Sequence, residues 1–264
     1  MEQAGSHSPI ARRNPQRNGD WLRVLEAPVR FLLGPPITSF NPNSAMPRTT
    51  PTESRRRARI LTLNARLRAC RRCHLAGFLD ERESIPIARD PEPNFAVPRI
   101  LLIGQAPGLR ATIQDRPFAG IAGDRLRSWF EEAGIPRSEF YARIHFAAVT
   151  RCYPGRIPGA RGDRLPSPEE QALCRPWLDE LIEAIDPRIV LLIGSLAIRT
   201  ALGPFRSLSD VVGTSTTRDG VHYLPLPHPS GVSRWLNEPA NVAAVDRAMT
   251  ILQGWIEDAG APHR

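Results

Sequence analysis

Two short stretches of this chain are nearly the same: Pro98-Arg-Ile-Leu-Leu-Ile-Gly104 and Pro187-Arg-Ile-Val-Leu-Leu-Ile-Gly194. Each is an unbroken, β-rich apolar run that opens at proline and closes at glycine. A strand that is apolar at every position is buried on both faces, and sheets covered on both faces are mostly parallel ones flanked by helices. The sequence around them supplies those helices. From Arg55 to Cys73, Ile60, Leu63 and Leu67 recur at helical spacing and lead into Cys70. Asp124 to Ala133 carries Leu126, Trp129 and Phe130 and stops at Gly134 and Pro136. Ser167-Pro168-Glu169-Glu170 opens another helix, with serine as cap, proline first and acids over the positive dipole end. It should run to about Ile185, ahead of Pro187. Ser195 to Leu202 reads as a short helix, and Ala240 to Ile256 as a final amphipathic one. His145–Val149 and His222–Leu226 read as further strands. Strands alternating with helices give an α/β sandwich with a mostly parallel central sheet. The twin runs answer the same local demand and do not make a repeat protein. Ligands of such sheets bind beyond the strand C-termini, here at Gly104–Gly108, Thr150–Pro154 and His228–Trp235.

Charge divides the chain. The 264 residues carry a net charge of +8, and all 35 basic residues are arginine. Without lysine there is no Schiff-base chemistry and no P-loop lysine. Residues 1–72 hold 14 arginines and 4 acids; residues 73–264 hold 21 arginines and 23 acids. The basic surplus therefore belongs to the N-terminal quarter. Residues 1–57 are rich in Pro, Ser, Asn and Arg and are expected to be a disordered tail, with a folded domain over 58–264. The tail is either a basic arm that holds nucleic acid electrostatically or a dispensable extension ahead of a start at Met46. No apolar run reaches the roughly 18 residues of a membrane span, and residues 1–30 lack a secretory signal core. A cytoplasmic monomer that does not meet a membrane is expected.

Four cysteines are spaced Cys70-x2-Cys73, then Cys152, then Cys174. In a cytosolic chain such a set favours metal binding over disulfides. A C-x2-C pair grips one centre from a helix end, and two distant thiolates can close it. Spacing alone leaves a structural zinc and an iron–sulfur cluster both open.

Gly104-Gln-Ala-Pro-Gly108, Asp115-Arg-Pro-Phe-Ala-Gly120 with Ala122-Gly123, and His228-Pro-Ser-Gly231 resemble the active-site motifs of the uracil-DNA glycosylase superfamily. Cys70-Arg-Arg-Cys73, Thr150-Arg-Cys152-Tyr-Pro-Gly155 and Ser167-Pro-Glu-Glu through Cys174-Arg-Pro176 look like its iron–sulfur, type-4 branch. The resemblance covers about residues 59–257. It implies a three-layer α/β/α fold, DNA as partner, base flipping and a [4Fe–4S] cluster on Cys70, Cys73, Cys152 and Cys174. It also implies excision of uracil or a related damaged base. Two positions depart from the branch: Gln105 stands where a glutamate is usual, and Ala148 where an asparagine reads the uracil edge. A methyl group cannot hydrogen-bond a base, so another deaminated base such as hypoxanthine, or DNA binding without catalysis, are alternatives.

Cleaving an N-glycosidic bond requires negative charge on the departing base to be stabilised. His228, ending a strand before proline, is the expected donor to the base. Gln105 and the turn Gly104, Ala106, Pro107 and Gly108 would add backbone donors and room; the Gln105 amide is neutral and cannot be a general base. Phe118 would stack on the flipped base, Ser230 would bind a phosphate, and Arg151 would meet the DNA backbone. Gly231, Val232, Arg234 and Trp235 would supply a wedge. His145 and His222 are read as core histidines.

Overall fold

The computed structural model describes residues 50–159, 162–231 and 234–260. The first helix, α1, is Pro51–Arg68. The Thr50 hydroxyl accepts the Glu53 N–H at 3.2 Å, and proline occupies the first position. Residues 51–57, expected from composition to belong to the tail, are thus helical, and the rest of that tail lies outside the described residues. Long-range partners explain the difference. Arg57 donates to the carbonyls of Pro91 and Glu92 at 3.2 and 3.1 Å, and the Glu53 carboxylate accepts the Val97 N–H. What reads as a polar tail is the solvent side of a helix tied to a segment some 40 residues on.

After a four-residue helix α2 (Arg72–Leu75) come β1 (Ile100–Gly104), α3 (Leu109–Ile113), α4 (Ile121–Glu132), α5 (Phe140–Arg143) and β2 (His145–Ala148). Then come α6 (Pro168–Ile185), β3 (Ile189–Ile193), α7 (Ser195–Leu202), α8 (Leu208–Val211), β4 (Thr216–Arg218), β5 (Val221–Leu226) and α9 (Pro239–Gly260). The sheet order is β2-β1-β3-β5-β4, parallel except for β4 against β5. The twin runs lie side by side as β1 and β3, Leu101 opposite Val190. Their residues alternate between two cores. Leu101, Ile103, Val190 and Leu192 pack with Ile60, Leu63 and Leu67 of α1 and Leu178 and Leu181 of α6. Leu102, Leu191 and Ile193 pack with Leu126 and Phe130 of α4 and Val245, Met249 and Leu252 of α9. This is the expected three-layer α/β/α sandwich. Among the described residues no helix is long and apolar enough to cross a membrane.

β4 was not expected. Its sequence, Thr-Thr-Arg, is polar because an edge strand needs no apolar run. Asp219-Gly220, both with positive φ (51° and 75°), makes the hairpin turn to β5. α4 starts three residues before the expected Asp124.

Candidate active site and cysteine cavity

The carboxyl ends of β1, β2 and β5 open on one edge of the sheet. Gly104 lies opposite Ala148 in register, and β5 runs out to His228 two residues past Leu226. A broad cleft forms there, bounded by the Gly104–Gly108 turn, Phe118, Ala147, Ala148, Asp163, His228 and Ser230. The chain crosses from β1 to the β2 loop by two backbone bonds, Val149 N–H to Gly104 C=O at 2.9 Å and Thr150 N–H to Gln105 C=O at 3.2 Å. Gln105, Ala106, Pro107 and Gly108 are therefore where the motif placed them, at the cleft wall.

Phe118 lines the cleft and also packs on the edge of the α4 core. Its ring lies 6.2 Å from that of Phe146 at 51°. The backbone is unusual, with φ of 53°, and its neighbours enforce that shape. Tyr141 OH donates to Pro117 C=O at 2.9 Å. A Cβ on Gly123 would land on the Phe118 carbonyl, so only glycine fits the first turn of α4 there.

The His228 ring has a defined tautomer. Ser230 N–H donates to its Nδ1 at 3.2 Å. A nitrogen that accepts an N–H carries no proton, so the Ser230 hydroxyl, 2.8 Å away, also donates to it. The ring proton is then on Nε2. Solvent reaches the ring through the cleft mouth, but protein surrounds its other sides. That desolvation holds its pKa below the ordinary histidine value, opposed by the charge of Asp163. His228 is thus a neutral N–H donor.

Asp163 was not among the residues expected from the motifs. Among the described residues it is the one carboxylate lining the cleft. Its Oδ1 accepts from Tyr153 OH at 3.0 Å, and its Oδ2 lies 3.4 Å from where a Gly108 Cβ would stand. Burial and Asp163 push the Tyr153 phenol up to about 12, so it remains a donor. The sequence held one signal for this residue: it is the only acid between Glu139 and Glu169.

Four expectations change. Arg151 does not face outward; it is 4% exposed, and its guanidinium donates to Ile87 C=O at 2.6 Å and Phe146 C=O at 3.3 Å. A buried guanidinium satisfied by carbonyls braces the β2 loop and cannot meet a phosphate. Trp235 is no free wedge, since it packs against the core and its indole N–H donates to Ser209 Oγ at 3.1 Å. Ser230 directs its hydroxyl to His228 rather than outward. Ala148 sits on an apolar stretch of wall beside Ala147 and Phe146, with no amide to read a base. Gly231 and Arg234 are exposed beyond His228, and Val232 lies outside the described residues.

Cys70, Cys73, Cys152 and Cys174 line one cavity between α1, α2, α6 and the loop after β2. All four are free of disulfides. Burial raises the Cys152 thiol to about 12 and the Cys174 thiol to about 11, helped by neighbouring cysteines in the set; Cys73 is raised too. The Arg151 N–H donates to Cys174 Sγ at 3.3 Å. Among the described residues no three His, Cys, Asp or Glu close around a single-ion position. Four soft donors around one pocket fit a sulfur-liganded group larger than one ion.

Comparison with known proteins agrees with the site. Residues 93–253 match the family described as the uracil DNA glycosylase superfamily. A type-4 uracil-DNA glycosylase of Thermotoga maritima is 33% identical over 138 residues, 52% of this chain and 67% of that protein. Type-4 uracil-DNA glycosylases of Saccharolobus solfataricus and Sulfurisphaera tokodaii are 30% and 28% identical, each over 48% of this chain. The chain spans about half the length of those two archaeal proteins. The matched segment runs from the approach to β1 through most of α9 and so contains the whole sheet and both sides of the cleft; the chain belongs to the uracil DNA glycosylase superfamily.

Proposed function

We propose that this protein is a DNA repair glycosylase that flips uracil out of DNA and hydrolyses its N-glycosidic bond. The observation that carries the reading is the neutral His228 ring, with Nε2–H as donor, lining the same cleft as Phe118. The flipped base stacks on Phe118, a contact worth about 1–3 kcal/mol. As the bond to C1′ breaks, its electron pair moves onto the base. A donor fixed in advance stabilises that charge without reorganising. The Gly104–Gly108 turn gives the backbone close access. The lowered pKa keeps the ring neutral as pH falls through the ordinary histidine range.

DNA is the partner, and one chain supplies every residue of the proposed site, so a monomer in the cytosol suffices. Cys70, Cys73, Cys152 and Cys174 would hold a [4Fe–4S] cluster. When bound, it cross-links α2, α6 and the loop after β2, and so fixes the far side of the cleft. A cationic centre also offsets the burial that otherwise keeps these thiols protonated.

Ala148 favours a second reading, a wider choice of base. A polar contact to a substrate edge can be worth several orders of magnitude of discrimination, and Ala148 cannot make one. A panel of oligonucleotides bearing uracil, hypoxanthine or xanthine decides. Fast release of uracil is expected; release of hypoxanthine in preference would move the assignment, and binding without release of any base would end it.

A further inference from the structure

The motif that usually carries a glutamate has neutral Gln105 here, which leaves the attacking water without a base in that turn. The fold brings one from elsewhere. Asp163 stands over the same turn, 3.4 Å from the position of a Gly108 Cβ, on the loop between β2 and α6. That loop is a short antiparallel flap. Arg156 bridges Asp163, Ile157 N–H donates to Gly162 C=O at 3.2 Å, and Arg164 N–H donates to Gly155 C=O at 2.9 Å. Its root is anchored by Arg164, which grips the buried Glu170 carboxylate at 2.6 and 2.7 Å. Tyr153 OH then fixes one oxygen of Asp163, and the carboxylate stays open to water on the cleft side. A surface acid with no role would not need a buried phenol and an anchored flap to aim it into the cleft.

We propose that Asp163 is the catalytic carboxylate that holds and deprotonates the hydrolytic water, a role that rests on the glycosylase reading above. The water oxygen bonds to C1′, the glycosidic bond breaks with its pair going to the base, and the water proton passes to Asp163 and on to solvent. The negative carboxylate also stabilises the cationic character of the sugar. His228 and Asp163 then serve opposite ends of one bond, a donor for the departing base and an acceptor for the arriving water.

The test is single-turnover base release by wild type, Asp163→Asn and Asp163→Glu, with affinity for a duplex carrying an abasic-site analogue and thermal stability measured in parallel. A positioned general base contributes about 10²–10⁴-fold, so Asp163→Asn should lose at least about a hundredfold in rate. Its affinity and melting temperature should hold, and Asp163→Glu should restore part of the rate. Wild-type-like release by Asp163→Asn overturns the role, as does a loss of rate matched by losses of affinity and stability. A wild type that releases no base from the panel overturns the glycosylase reading itself, and is told apart because it fails before any variant is compared.

Discussion

β1 and β3 are neighbours with almost one sequence, yet they end differently. After Gly194 the chain enters α7 at once, at Ser195. After Gly104 it stays irregular to Gly108, with Pro107 in its path. Gly194 has φ of 85° and ψ of 164°, a region almost closed to other residues. Gly104 has no such φ. A Cβ on Gly194 would touch His228 Cβ at 3.6 Å; one on Gly104 would touch the Phe118 ring at 3.7 Å. The two strands thus deliver different walls of one cleft, and the residues after each glycine decide what its wall does. β3 supplies a tight turn that seats the histidine, and β1 supplies open backbone for the base.

The largest effect should come from the wall that β3 supports. His228→Ala removes one preorganised donor and should slow base release about 10²–10³-fold, with little change in melting temperature because the ring is open to the cleft. A variant that unfolds instead would make His228 a structural residue. Gly194→Ala should cost about 1–3 kcal/mol of stability through backbone strain, read by urea unfolding.

The strands paired with β1 and β3 differ as well. His145 on β2, opposite Leu101, is buried with Nε2 unpartnered. Burial, aided by the charges of Arg151 and Arg89, lowers its pKa from 6.5 to about 3. His222, opposite Ile189, is partly exposed, bonded to Thr217 and stacked on Trp255. Below pH 6.5 the unfolded chain takes up a proton at residue 145 that the folded chain refuses until about 3. The stability from neutral His145 is therefore complete above that range and lost as pH falls, by about 2 kcal/mol at pH 5. Urea midpoints at pH 7 and pH 5 should show the loss, and His145→Gln should flatten it. The smallest effect belongs to the β1 wall: Gly104→Ala should leave stability unchanged or raise it by about 0.5 kcal/mol. A costly Gly104→Ala with a harmless Gly194→Ala would reverse the contrast.

Local chemistry made much of this legible. The twin apolar runs, the Ser167 cap and the periodic helices are decided by short-range pattern, so sequence placed β1, β3, α6 and α7 nearly to the residue. Residues 51–57 escaped because their partners lie at 91–97. The direction of Arg151 escaped because its partners are the carbonyls of residues 87 and 146. Trp235 carries the same aromatic ring whether it wedges DNA or covers a core, and only packing against residue 209 decides.

By itself the sequence determined the layered fold, the His228 and Phe118 walls and the set of four cysteines, because motif spacing and apolar periodicity are properties of the chain. Only the tertiary structure decided which nitrogen of His228 bears the proton, that Arg151 faces inward, and that the cleft regains a carboxylate at Asp163. Each of those depends on groups meeting at hydrogen-bond distance in the folded chain, and no local pattern encodes such a meeting.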